Sequence, residues 1–248
     1  MQKIFENPLI GFFSLKRKFK PFLIFNVFLL LFIFDISKAE TTFSNTKNNQ
    51  IDIEYLGSKN ELEDYIIDTG DGLVMIDAGS QLDTGTTYTE IKKWRPNTPV
   101  KAAIFTHHHV DHIFSVKHFD EENEKMGIPK PIVYGHELMP DHFNRYVKTN
   151  DWNTAINRRQ FAIDVEHFKW PTEYRYPDVV YKNNISFKCG DLTFNLQHAR
   201  GETDDHTCIY IPEKKIIAPG DLFIWAVPNG GNPQKVQRYI SDLSLIHI

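Results

Sequence analysis

The segment Thr106-His107-His108-His109-Val110-Asp111-His112 packs imidazoles and a carboxylate together at the end of an apolar β-type run, Val100 to Phe105. Neutral imidazole and carboxylate suit zinc and, to a lesser degree, iron or manganese. The spacing says more than the number of histidines. Alternation at a strand end sends the rings of His107 and His109 to one side and turns His108 away. A helical pattern begins near Ile113, so the chain turns there and brings Asp111 and His112 to a second point close by. One short segment can therefore serve two metal ions. The competing reading is a solvent-exposed His-rich tract.

These residues need a framework. Ile51 to Leu56 alternates with period two, as a half-buried strand does. Tyr65–Asp68 and Leu73–Asp77 flank Asp71-Gly72 and read as a β-hairpin, in which Asp-Gly supplies the positive φ of a tight turn. A helix is expected over 86–94, a strand over 100–105, a helix over 113–119 and a short strand over 132–134. The charge run Asp120 to Lys125 reads as a solvated loop. Pro140 suits the first turn of a helix ending near Lys148. Residues 150–178, aromatic and charged with little periodicity, read as an insertion able to cover a cleft. Strands follow at 185–188, 192–197, 207–211 and 216–218. Strand–helix–strand order implies an α/β layered architecture. Two later carboxylates sit where strands end: Glu202 after 192–197, and Asp221 after 216–218.

With both halves in view, residues 51–239 resemble a metallo-β-lactamase-fold hydrolase, an αββα sandwich with its metal site between the edges of two sheets. The resemblance implies that His107 and His109 bind a first ion, that Asp111 and His112 bind a second, and that Asp221 in Gly220-Asp221 bridges the two. It also implies two zinc ions, with iron or manganese as other occupants. Asp111 and Asp221 would then be the catalytic carboxylates around a metal-bound hydroxide. One departure is chemical: the family's Gly-His-Thr loop reads Gly201-Glu202-Thr203 here. A carboxylate in that place resembles the alkylsulfatase branch and makes Glu202 the candidate third ligand, with His198 and His206 as alternatives. A second departure is positional, since the family's last ligand histidine lies well downstream of the bridging aspartate. Leu243 to Ile248 resembles the translation of a transposon-end sequencing adapter. The natural sequence is therefore expected to depart near Ser241 or Asp242, leaving a C-terminally truncated domain over 51–242, a non-native tail over 243–248, and no ligand role for His247.

The N-terminus carries Lys16-Arg17-Lys18 and Lys20, then the apolar run Phe22–Phe34, then Ser37-Lys38-Ala39. A basic region, a short apolar run and a small-residue site make a secretory signal over 1–39, with an uncleaved membrane anchor as the alternative. Residues 40–50 read as a linker. The expected location is secreted or periplasmic. Cleavage would leave 22 basic and 30 acidic residues, a balance that argues against nucleic acid as the main partner. Cys189 and Cys208 permit a disulfide or plain buried thiols.

No Gly-x-Ser-x-Gly, Cys–His signature or Walker loop competes for the chemistry. The expected protein is an exported dinuclear hydrolase of a small-molecule ester, with an alkyl sulfate as the first choice. A carboxylic ester, lactone or β-lactam is the alternative substrate, and a metal-binding but inactive protein is the alternative class. Arg200 and Arg238 are candidates to hold an anionic group, with Lys235 more simply a surface charge. Trp225 and the aromatic insertion are candidates to line an apolar cleft.

Overall fold

The computed structural model describes residues 53–55, 65–82, 84–160, 168–224 and 227–228. The expected leader or anchor, the linker, the tail, Trp225 and Arg238 lie outside them.

A six-stranded sheet is ordered Ile53–Tyr55 (β1), Tyr65–Asp68 (β2), Leu73–Ile76 (β3), Val100–Ile104 (β4), Ile132–His136 (β5) and Val179–Tyr181 (β6). The first three strands pair antiparallel and the rest parallel. Parallel neighbours require crossovers, and these carry Thr84–Trp94 (α1), Val116–Lys125 (α2), Met139–Lys148 (α3) and Asn150–Gln160 (α4). A four-stranded antiparallel sheet follows: Asn184–Cys189 (β7), Leu192–His198 (β8), Thr207–Ile211 (β9) and Ile216–Ala218 (β10), ordered β10-β9-β8-β7. Phe223–Ile224 (β11) pairs with Val227–Pro228 (β12).

Alternation on the first sheet divides the core in two. Ile66, Leu73, Met75, Phe105 and Val133 pack with Ile91, Val116, Phe119, Met139 and Phe143 of the helices. Ile67, Val74, Ile76, Ala102 and Ile104 meet Phe194, Leu196, Ile209 and Ile211 of the second sheet. All four residues of β3 are buried because both of its faces are covered. Each fully buried aliphatic or aromatic side chain contributes roughly 1.5–3 kcal/mol. The layers are helix, sheet, sheet. Tyr210 and Ile217 are exposed, and the outer helical layer of an αββα sandwich does not fall among the described residues.

Three local expectations are corrected. Residues 120–125 are helical rather than a loop. The buried positions of α2 are Val116, Phe119, Asp120 and Asn123, a helical spacing whose C-terminal half is polar. Asn123 Nδ2 donates to the carbonyls of Val100 and Pro129 at 2.9 and 2.8 Å, and Arg175 Nε donates to Asp120 at 2.8 Å. This helix starts at Val116 rather than near Ile113. The amides of Ile113 and Phe114 donate to the Gly79 carbonyl and that of Ser115 to Ala78, so the segment is bonded to another loop instead of to itself. The stretch 150–178 opens with a helix, α4. Cys189 and Cys208 are free thiols on β7 and β9.

Candidate metal centre

The C-terminal ends of β4, β8 and β10 supply the side chains. After β4, Phe105 and Thr106 stay buried and the chain leaves the sheet through His107, which has no exposure. The expected alternation is observed: His107 and His109 face Glu202, and His108 faces Asp205. Glycines bring the two carboxylate loops close. A Cβ on Gly201 would lie 2.0 Å from Leu222 Cδ2, so any larger residue would have to displace the Leu222 side chain where the Glu202 loop packs beside Asp221. Gly220 has φ +53°, and a Cβ there would sit 2.9 Å from both His206 Cε1 and Thr106 Cβ.

His107, His109, Glu202 and Asp221 each place a donor atom within 4.8 Å of all the others. Glu202 Oε2 lies 3.3 Å from His109 Nδ1 and 3.8 Å from His107 Nε2. Asp221 Oδ2 lies 4.0 Å from His107 Nε2 and 3.7 Å from His112 Nε2. Asp111 Oδ2 is 3.8 Å from His112 Nε2 and half exposed. Around a tetrahedral zinc with bonds near 2.05 Å, neighbouring donors stand about 3.3 Å apart. These separations match that spacing better than the 2.7–3.2 Å of N–H···O hydrogen bonds. His107 Nε2 is buried with no hydrogen-bond partner among the described residues, an arrangement that an ion would satisfy. The donor set fits a divalent metal.

Electrostatics favour a neutral, ligand-ready imidazole at His107 and a charged one at His112 in the metal-free chain. Burial, reinforced by the neighbouring rings of His112, His109 and His206, holds His107 well below the usual histidine range. Burial takes His206 down to about 3. Burial opposes charge on His112 too, but the carboxylates of Asp111, Asp77 and Asp221 carry it well above the usual range.

In the sequence Asp77 marks only the end of a hairpin. It proves to be the carboxylate behind the site. It is 1% exposed, has φ 60°, and accepts from Thr106 N at 2.7 Å and Thr106 Oγ1 at 2.8 Å. His112 Nδ1 lies 3.0 Å from Asp77 Oδ2, the oxygen that also accepts from Thr106 Oγ1, and Thr106 Oγ1 is 3.0 Å from His107 Nδ1. Such partners fix the ring orientation of metal-facing histidines. The local sequence of Asp77, the end of a buried strand followed by Ala78-Gly79, is equally that of a turn aspartate.

Of the alternatives to Glu202, neither histidine joins the donor group. His198 Nε2 is held by the Asp204 carbonyl at 2.8 Å, and its ring stacks on His136 at 3.9 Å. His206 is fully buried and stacks on His107 with centroids 5.0 Å apart. Arg200 is half-buried two residues before Glu202.

A family model described as the metallo-beta-lactamase superfamily matches residues 64–230. The chain belongs to the metallo-beta-lactamase superfamily. Among curated members, a linear primary-alkylsulfatase of Pseudomonas sp. (strain ATCC 19151) is 32% identical over 173 residues, covering 63% of this chain and 32% of that protein. A hydroxyacylglutathione hydrolase of Aeromonas salmonicida (strain A449) is 27% identical over 136 residues, covering 52% and 42%. The matched stretch thus spans less than half of either relative's length. The solved B3 metallo-beta-lactamase BLEG-1 has a TM-score of 0.54 at 21% identity, covering 79% of this chain and 83% of that one. That likeness is one of fold. The superfamily is one of hydrolases, typically dependent on two metal ions, and the His, Asp and Glu groups of this chain lie together as such a site requires.

Proposed function

We propose that this chain is an exported hydrolase of alkyl sulfate esters that works with two divalent ions, best zinc. His107, His109 and Glu202 would hold the first ion and Asp111 and His112 the second, with Asp221 as the carboxylate that both could use. The observation that carries this reading is Glu202, whose carboxylate lies 3.3 and 3.8 Å from the two histidine nitrogens where the family's usual loop offers an imidazole. The identity to a linear primary-alkylsulfatase supports it. Two such ions, when bound, lower the pKa of water and polarise a substrate oxygen.

The chain's own residues do the rest. Asp77 orients His112 and Thr106, and Thr106 in turn steadies His107. Asp111, half exposed, stands at the solvent edge of the site, where it can orient the attacking water. Arg200, half-buried two residues before Glu202, is the candidate among the described residues for holding a sulfate head group, while Arg238 for the same role and Trp225 for an apolar cleft rest on the sequence alone. The basic, apolar and small-residue order of residues 16–39 supports export.

A second reading, hydrolysis of a carboxylic ester or thioester on the same site, draws on the likeness to a hydroxyacylglutathione hydrolase. The test offers the zinc-loaded protein a long-chain primary alkyl sulfate, a hydroxyacyl thioester and a β-lactam in parallel. Sulfate release outpacing the other two supports the first reading. Preferential thioester cleavage replaces it with the second. Bound zinc with no turnover of any of them leaves a metal-binding, inactive protein.

A further inference from the structure

A second group of titratable side chains, with His108 and Asp205 buried at its centre, joins the same two loops on the far side of the histidine segment. His108 Nδ1 lies 2.9 Å from Asp205 Oδ1, and Arg145 Nη2 lies 3.3 Å from His108 Nε2. The His142 ring stacks on His108 with centroids 3.9 Å apart and planes at 17°. His142 Nε2 lies 2.6 Å from Asp204 Oδ1. Asp205 is fully buried and His108 is 3% exposed. Arginine has donors only, so Arg145 requires a lone pair on His108 Nε2. That places the proton on Nδ1, where it is donated to Asp205. His142, Arg145 and Tyr146 occupy i, i+3 and i+4 of α3, one face of the helix.

His108, His142 and Asp205 also place donor atoms within 4.8 Å of one another, which raises the question of a further ion. The distances answer it. Within that trio the 2.9 Å between His108 and Asp205 is a hydrogen bond, shorter than two donors on one ion keep, and His142 Nε2 is engaged outside the trio by Asp204 at 2.6 Å. A guanidinium on His108 adds positive charge where a cation would have to sit.

The geometry points to Asp205 and His108, backed by Arg145, as positioning residues that hold the Glu202 loop in register with His107 and His109. This rests on the assignment of Glu202 as a ligand. His108 stands between the two ligand histidines, and Asp205 is three residues beyond Glu202. Their bond ties segments 97 residues apart. A small drift of one loop past the other would take Glu202 out of reach of one imidazole or the other.

The test measures zinc affinity by competition with a chromophoric chelator, alongside urea unfolding of the zinc-free protein. Wild type is compared with Asp205→Ala, Asp205→Asn, His108→Ala, the Asp205→Ala/His108→Ala double variant, and Arg145→Met. The two alanine variants should bind the tighter ion about 10- to 100-fold more weakly, the range for partners behind metal ligands. Asp205→Asn keeps an acceptor oxygen for His108 and should recover most of the loss. The double variant should be no worse than the weaker single one, because both remove the same link. Arg145→Met, at an exposed helix position, tests the clamp should Asp205→Ala fail to fold, and should weaken zinc several-fold. Wild-type zinc affinity in all variants, with only the unfolding midpoint lowered, would overturn the proposal in favour of plain packing. A third zinc per chain that is lost in Asp205→Ala and His142→Ala would overturn it in favour of a metal site. Zinc absent from the wild type would overturn both the clamp and the ligand assignment beneath it.

Discussion

Two clusters built from the same residue types share the loops 106–112 and 199–206, and their internal distances set them apart. Around His107, His109, His112, Glu202 and Asp221 the nitrogen–oxygen separations run from 3.3 to 4.0 Å. Around His108, His142, Asp204 and Asp205 they are 2.6 and 2.9 Å. The first set is spaced to share ions, the second to share protons. His108 and His109 are adjacent in the chain, yet strand alternation places them in different clusters. The role of a histidine here is decided by which side of the strand end it leaves, and by what waits there.

The strongest challenge to that division is to remove a histidine from each side. His109→Ala should lower occupancy of the first ion to below about a tenth by elemental analysis, since a zinc site that loses one of its few protein ligands loses most of its binding free energy. Glu202→Gln should weaken the same ion while leaving the second in place. His108→Ala at saturating zinc should still bind two ions. Equal loss from His108→Ala and His109→Ala would dissolve the distinction.

The next largest effect belongs to Asp77, which stands behind the metal-spaced cluster as Arg145 stands behind the other. Asp77→Ala strands the Thr106 amide and hydroxyl and the His112 ring in a buried place. It also asks alanine to adopt a φ of 60°. A loss of about 3–5 kcal/mol is expected in urea unfolding of the zinc-free protein. Asp77→Asn tolerates the left-handed backbone and keeps one acceptor oxygen, so it should lose less. An unchanged midpoint for Asp77→Ala would mean that the site's scaffold does not depend on this carboxylate.

How far these roles were legible in the sequence follows from what carried the signal. The strands were readable because alternating apolar residues mark both faces of the first sheet, as Ile66 and Ile67 illustrate. The side-to-side split of His107, His108 and His109 follows from strand geometry alone. Glu202 is offered by resemblance, as a carboxylate in a loop that otherwise holds histidine, and the structure places it beside His107 and His109. Asp77 is not legible in the sequence, because its partners are 29 and 35 residues away and nothing local distinguishes it from a turn aspartate. The helix over 120–125 was hidden because its inward positions there, Asp120 and Asn123, are polar. Hydropathy cannot see a face that is buried by hydrogen bonds. The Asp205–His108 pair was invisible for the same reason as Asp77.

Acid should destabilise the zinc-free protein through buried neutral histidines on both loops, His108 on one and His206 on the other. His108 and His206 stay neutral in the folded chain down to about 4 and about 3, chiefly because they are buried. Unfolded histidines titrate near 6.5. Between those values the unfolded chain binds more protons, so stability is fully present above about 6.5 and is lost as pH falls toward 4 and 3. The slope is at most about 1.4 kcal/mol per pH unit for each imidazole. His112 runs the other way. Its raised pKa contributes stability below about 6.5 that is lost as pH rises through the folded value. Thermal unfolding against pH in chelator should therefore show a maximum near neutrality. His108→Gln should flatten the acid limb alone, and an unchanged limb would mean that His108 is not held neutral by burial.

The smallest expected effect comes from His198, which is as close in sequence to Glu202 as many ligands are to one another, yet belongs to neither cluster. Its Nε2–H donates to the Asp204 carbonyl and its ring stacks on His136. The loop it touches is also held from within, by Ala199 N to the His206 carbonyl and Gly201 N to the Thr203 carbonyl. The contact is thus partly redundant, unlike the Asp205–His108 bond that crosses between loops. His198→Ala should cost about 0.5–1.5 kcal/mol, the worth of a stacked pair or one neutral hydrogen bond, and should change zinc affinity by less than about threefold, well short of the loss expected for partners behind ligands. A large loss of zinc from this variant, with none from Glu202→Gln, would transfer the third ligand from the carboxylate to the imidazole. The feature that sets this chain's site apart from the family's usual loop would then be only apparent.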